Sequence, residues 1–207
     1  MNNYVSRLLV IMTLLALALA MSACGFEESC DNTQAQMVTI SSSNGDFRID
    51  AYEASRSNAT AQTTGTGVTL ACNYRGAIPW GNVSYADAKN ACLDAGKRLC
   101  TETEWMAACG AANAYPYGDT YQKDTCNMSG VAATTGAKSS CKSAKGVYDM
   151  SGNLHEWVEG GKLMGGSYFS SNGDELSCSS VKSVPDPLSF VPSEDIGFRC
   201  CQDVSTL

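Results

Sequence analysis

The stretch GVYDMSGNLHEW, Gly146 to Trp157, decides how this chain is read. Val147, Tyr148 and Met150 are strand formers, Ser151-Gly152-Asn153 is turn chemistry that tolerates positive φ, and Leu154 to Val158 reads as strand again. The spacing therefore predicts a tight hairpin. Asp149, Asn153 and Glu156 place side-chain oxygens beside that turn. Taken alone, these residues describe either a hairpin with a solvated acidic corner or an oxygen-lined cation site.

Upstream lie the clearest helix signals. Ser84 with Asp87 three residues on opens a segment carrying Tyr85, Ala88, Ala91, Cys92 and Ala95 on one face, and Gly96 ends it. Thr101 with Glu104 then forms a capping box for a second helix, with Trp105, Ala108 and Cys109 as its inner face and Gly110 as its stop. Further back, Met37 to Ile40 and Phe47 to Tyr52 flank a Ser/Asn/Gly turn and predict an N-terminal hairpin. Ser55 to Gly67 holds almost nothing apolar and predicts a mobile surface loop. Tyr115 to Gly118 is an aromatic turn, and the polar loop from Asp119 to Ala144 holds Cys126 and Cys141, spaced for a local disulfide. Downstream, Leu163 to Tyr168 reads as a glycine-containing strand, and Ile196 to Cys201 as a terminal strand with Phe198 inward.

At 207 residues the chain is expected to form one domain. Residues 1–23 have signal-peptide architecture, with Arg7 ahead of an apolar run from Leu8 to Ala20. The run ends in Met21-Ser22-Ala23-Cys24, which resembles a bacterial lipobox with Cys24 as the acylated residue; an ordinary cleavable signal before an unrelated cysteine is the alternative. Gly25 after the anchor, in place of the Asp that marks inner-membrane retention, points to the outer membrane. Residues 24–36 read as a tether, 37–203 as the domain and 204–207 as a tail. Removing residues 1–23 takes away Arg7 and no acid, so the net charge of −7 becomes −8. No block of Lys and Arg is available to cover phosphates, so nucleic acid is not an expected partner. Ten cysteines besides Cys24, in an exported chain with one histidine, read as disulfides rather than zinc ligands. They admit roughly nine hundred pairings, and spacing alone does not choose among them.

The order VSYADAKNAC, GKRLCTETEW, YPYG, GVYDMSGNLHEW, MGGSY and DIGFRC, over about Met37 to Asp203, resembles the formylglycine-generating enzyme family, also called sulfatase-modifying factor domains. The resemblance implies an α+β, C-type-lectin-like fold with two helices, short antiparallel strands, much irregular loop and many disulfides. It implies the bridges Cys92–Cys200 and Cys109–Cys178. Apart from the resemblance, the remaining cysteines are expected to pair as Cys126 with Cys141, Cys30 with Cys72, and Cys100, which stands where the family has proline, with Cys201. Calcium is implied at Asn153 and Glu156, and Asn127 with Met128 matches the start of a second site. Active members oxidise a peptidyl cysteine of a sulfatase with a cysteine pair just after the GGS motif, a copper ion and dioxygen. Here Ser170 and Glu175 stand at those two positions. Neither supplies the sulfur that copper(I) favours, so copper is not expected.

The reading is therefore a lipid-anchored domain that binds a protein, peptide or glycan through the loops Ser55 to Gly67 and Ser170 to Glu175. The alternative is oxidation of a peptidyl cysteine on the same scaffold, with Cys178 as a rescuing thiol. A serine hydrolase built from Ser167 or Ser170 with His155 has the residue types but lacks a G-x-S-x-G elbow.

Overall fold

The computed structural model describes residues 28–30, 35–110 and 113–204. The signal sequence and Cys24 lie outside them. Strands β1 (Met37–Ile40) and β2 (Phe47–Asp50) form the expected N-terminal hairpin, with Ile40 opposite Phe47. Helix α1 (Tyr85–Asp94) starts on Ser84, whose hydroxyl accepts from Asp87 N, and buries Tyr85, Ala88, Ala91 and Cys92. After the short β3 (Arg98–Leu99), helix α2 (Glu102–Cys109) starts on Thr101 with both bonds of the capping box formed and buries Trp105, Ala108 and Cys109.

The remaining strands are β4 (His155–Val158), β5 (Lys162–Met164), β6 (Val181–Ser183), β7 (Ile196–Phe198) and β8 (Cys200–Asp203). Two four-stranded sheets result, ordered β1-β2-β8-β3 and β6-β5-β4-β7. The expectation of antiparallel strands needs one correction, because β4 and β7 run parallel. The expected terminal strand is also two strands: β7 belongs to one sheet and β8 to the other, with Arg199 between them.

The hairpin expected across Gly146 to Trp157 does not form. Its second half is β4, whose antiparallel partner is β5, after a turn in which Gly160 and Gly161 take φ of 87° and 72°. The first half is irregular because its backbone groups go to tertiary partners. Tyr148 N donates to Ala51 O, Gly152 N to Gly165 O, and Asn153 N to Asn127 O. Asp149 and Asn153 stand at positive φ (57° and 59°), as does Gly152. A Cβ on Gly152 would collide with the Asn127 backbone, so glycine is required there. The strand expected through Tyr168 stops at Met164, where Gly165 and Gly166 turn with φ of 81° and 68°.

Two apolar clusters fill the interior. One gathers α1 with Trp80, Trp157, Leu163 and Phe198, and the other gathers α2 with Ile40, Ile49, Met150 and Met164. Five disulfides join Cys30–Cys72, Cys92–Cys200, Cys100–Cys201, Cys109–Cys178 and Cys126–Cys141, with Cα separations of 4.8 to 5.6 Å. Cys92–Cys200 and Cys109–Cys178 are the bridges that the resemblance implies, and the other three join the remaining cysteines in the pairs expected apart from it.

Part of the supposed tether is fastened to the domain. Cys30 is bridged to Cys72, and the Glu28 carboxylate accepts from Val68 N, Thr69 N, Leu70 N and Ser57 Oγ. Burial opposes the charge of Glu28, but the Val68 and Thr69 amides outweigh it and hold its pKa down to about 2. The Ser55 to Gly67 loop is likewise knitted rather than loose. Asn58 Oδ1 accepts from Thr66 N and Gly67 N, and Arg56 Nη1 donates to Gly67 O at 2.6 Å. Its polar residues bond one another, which composition alone did not reveal.

The capping box gives a direct test of the α2 start. Thr101→Ala removes the acceptor for Glu104 N, and the expected loss is about 1 kcal/mol of unfolding free energy, measured by guanidinium titration with disulfides intact. A loss under about 0.3 kcal/mol would mean that the disulfides beside α2, not the cap, fix its first turn.

Candidate functional site

The centre of the molecule is a buried charge cluster. Arg199 is fully buried; its Nε and Nη2 donate to the two oxygens of Glu156 at 2.7 and 2.6 Å, and Nη1 and Nη2 donate to Asp50 O and Tyr148 O. Trp105 Nε1 adds a third donor to Glu156 at 2.7 Å. Around this pair lie two more buried carboxyls. Glu53 accepts from Asn153 Nδ2 at 2.5 Å and Leu154 N at 2.9 Å, and Asp149 Oδ2 accepts from Gly136 N at 2.7 Å. Burial, then the charges of Asp149 and Glu156, push the Glu53 carboxyl well above the usual carboxylate range. Burial likewise raises Asp149 to about 6, against the pull of Gly136 N and Arg199. Asp50, also buried, pairs with Lys97 at 2.7 Å and accepts from Asn73 Nδ2 and Cys200 N.

This geometry does not fit calcium on the expected residues. Calcium takes six to eight oxygens. Here both Glu156 oxygens already face N–H donors, Asn153 Oδ1 accepts from Asn127 Nδ2 and Ala133 N, and Asn127 Oδ1 accepts from Ser129 N and Oγ. Donor hydrogens aimed at these oxygens would repel a cation. Among the described residues no cluster of three or more His, Cys, Asp or Glu has metal-binding geometry.

The GGS segment leads to the surface. Ser167 Oγ donates to Asp195 Oδ2 at 2.7 Å, not to His155, so the nucleophile–imidazole bond of a serine hydrolase is missing. Burial lowers the His155 pKa, and its Nδ1 is buried without a partner among the described residues. Ser170 N donates to Ser167 O, and Ser170 Oγ accepts from Ser167 N. Glu175 accepts from Ser171 N and Asn172 Nδ2, both at 3.0 Å, closing the short turn ahead of the 3-10 segment Asp174–Leu176. The two positions lie together: a Cβ on Gly166 would sit within 3 Å of both Ser170 Oγ and the Glu175 carbonyl.

Beside this turn opens a cleft of about 470 Å³, whose walls include Arg56, Ile78, Pro79, Val131, Tyr168 and Phe169. Val131 and Phe169 are 65% and 64% exposed there, and the Phe169 ring lies 4.5 Å from that of Tyr168. Sequence reasoning missed the wall formed by Ile78, Pro79 and Val131. No local pattern marks those residues, because only the close approach of distant loops makes them one surface.

The family model for the "Sulfatase-modifying factor enzyme 1-like domain" matches residues 26–204. The chain belongs to that family. The match begins ahead of Met37, in keeping with the fastening of Glu28 and Cys30 to the domain. Two serine/threonine-protein kinases named pkn1 are similar over 67 residues: that of Chlamydia pneumoniae at 45% identity and that of Chlamydia caviae at 42%. The matched segment is 31% of this chain and 11% of either kinase, so the chain spans about a tenth of the curated relatives it matches. Among solved structures, the I1 and P3c variants of the Major Tropism Determinant each superpose with a TM-score of 0.54. Their identities are 18% and 16%, over 84% of this chain and 53% of theirs. That likeness shows a C-type-lectin-like fold.

Within the sulfatase-modifying factor family the copper chemistry needs a thiol pair, and the residues here do not fit it. Ser170 and Glu175 are held in local hydrogen bonds, and Cys178, the thiol nearest in sequence, is closed onto Cys109. Every cysteine among the described residues is disulfide-bonded.

Two outcomes check this centre. With its folded pKa near 6 against 3.8 for an ordinary Asp, the Asp149 carboxyl holds more protons folded than unfolded between those values. Its stabilising contribution is fully present below the lower value and is lost as pH rises through the upper one. Asp149→Asn is therefore expected to shrink the fall in stability between about pH 5 and about pH 7 by about 1 kcal/mol, read from unfolding curves at both pH values. For calcium, the melting temperature with excess EDTA is expected to match that with about 5 mM calcium. A rise of more than about 4 °C with the cation would reinstate a site.

Proposed function

We propose that this sulfatase-modifying factor domain is a binding module of the bacterial cell envelope, anchored by lipid on Cys24, and not a cysteine oxidase. The observation that carries the reading is the pair Ser170 and Glu175 standing where the active family places thiols, with Cys178 locked to Cys109. A scaffold held by five disulfides supports a place outside the reducing cytoplasm. The lipobox-like Met21 to Cys24 supports the lipid anchor, and Gly25 supports the outer membrane. The ligand, a segment of protein, peptide or glycan, sits in the cleft at Val131, Tyr168 and Phe169, where exposed apolar side chains meet a preformed concave surface.

Family membership itself favours one other reading, formylglycine formation on a sulfatase cysteine. The experiment that separates the two incubates the protein with copper, reductant and a cysteine-containing sulfatase peptide and follows the peptide by mass. No change beside an active relative run in parallel is expected. Loss of sulfur with gain of the aldehyde would overturn the binding-module reading. For the anchor, Cys24→Ala is expected to abolish incorporation of radiolabelled palmitate and to release the protein from the membrane fraction.

A further inference from the structure

A second feature of the surface lies on residues that the cleft does not use. Tyr148 is stacked on the buried Tyr52 at 5.1 Å between ring centroids, and two cations are gathered over it: Arg75 Cζ at 5.7 Å and Lys142 Nζ at 5.5 Å. Both cationic residues are exposed. Among the described residues neither has a carboxylate within ion-pair distance. The acid next in sequence, Asp149, is turned inward onto Gly136 N and is 4% exposed. In a chain of net charge −7, two exposed cations on one ring with no acid against them leave a locally positive spot that favours an anion.

Sequence distance hides the pair, since 67 positions separate its members. The fold joins them through Gly136: Gly76 N donates to Thr135 O, and a Cβ on Gly136 would touch the Arg75 side chain at 3.3 Å and Tyr52 at 2.8 Å. Lys142 is brought to the ring by its antiparallel bridge to Tyr148. Lys138 and Lys145 flank this segment in sequence, and Lys138 Nζ donates to the Asp124 carbonyl.

Arg75 also lines a polar pocket of about 440 Å³ that shares no residue with the cleft and includes Ser29, Ser57 and Thr60. The carboxylate near it, Glu28, is spent on three backbone amides and Ser57 Oγ. A carboxylate ligand would neutralise only one of the two cations. A phosphate monoester, with a charge of about −1.5 to −2 near neutral pH, balances both, and the guanidinium fork matches its oxygens.

We propose that Arg75 and Lys142 over Tyr148 bind the phosphate monoester of a phosphorylated saccharide, whose hydroxyls enter the adjoining Ser29, Ser57 and Thr60 pocket. The same chemistry is offered by a free sugar phosphate and by the headgroup of a phosphorylated glycolipid. This inference is independent of the oxidase question and of the cleft.

The test is calorimetric titration of the intact domain with glucose 6-phosphate, inorganic phosphate and glucose, at low and high salt. Glucose 6-phosphate is expected to bind more tightly than inorganic phosphate, with glucose silent. The double variant R75A/K142A should weaken glucose 6-phosphate binding by at least about tenfold, and Lys142→Arg should retain it. Both residues are exposed, so the double variant is expected to keep the parent's circular dichroism spectrum. A second arm measures retention on phosphatidylcholine vesicles with and without a monophosphorylated glycolipid. Retention that the double variant loses assigns the glycolipid source; solution binding without retention assigns the free sugar phosphate. Failure of glucose 6-phosphate to bind at about 10 mM together with no glycolipid retention, or equal binding by parent and double variant within about twofold, overturns the proposal.

Discussion

Arg199 is the residue on which the rest of the structure depends. The chain leaves one sheet at Phe198 and enters the other at Cys200, so the side chain between them is placed at the junction of both. From there its guanidinium reaches Glu156 on β4, the Asp50 carbonyl at the end of β2 and the Tyr148 carbonyl in the irregular segment. Burying such a cation is tolerable only with close anionic and carbonyl partners, and removing one member would strand the others. The two disulfides that follow at once, Cys92–Cys200 and Cys100–Cys201, fix the same junction to the end of α1 and the start of α2.

The excess of acid around that guanidinium shapes the surface above it. Asp149 holds Gly136, and Asn153, steadied by Glu53, holds Ala133, so the loop between Asn127 and Gly136 is pinned from beneath at several points. One end of that loop supplies Val131 to the cleft. The other runs under Arg75 and Tyr52 and on toward Lys142. Both surfaces thus rest on buried polar contacts. The side-chain oxygens of Asn153 and Glu156 accept from protein donors, so the turn is held by the chain's own N–H groups.

The chain keeps the family's scaffold while Ser170 and Glu175 stand where its active members have thiols. The Cys109–Cys178 bridge ties α2 to the segment just beyond Glu175, so the turn keeps its place although its thiols are absent. Ser170 and Glu175 close that turn with ordinary hydrogen bonds. A frame of this rigidity still presents the surrounding loops in fixed relation, which is the requirement for recognition as much as for catalysis.

The sequence by itself determined the two helices, the first hairpin and the family. Caps at Ser84 and Thr101, a turn at Ser41 to Gly45 and ordered motifs are local signals that act through neighbours a few residues apart. It also showed the missing thiols directly, since residue identity at Ser170 and Glu175 needs no fold to be read. Tertiary structure alone decided the form of Gly146 to Trp157, because the amides of Tyr148, Gly152 and Asn153 bond to Ala51, Gly165 and Asn127 rather than across a hairpin. It likewise decided that Glu156 pairs with Arg199, that the terminal strand is split between two sheets, and that Arg75 and Lys142 share one aromatic ring. The physical reason is the same in each case: these groups are satisfied by partners far away in sequence, and no local pattern records which distant partner a buried donor or charge will meet.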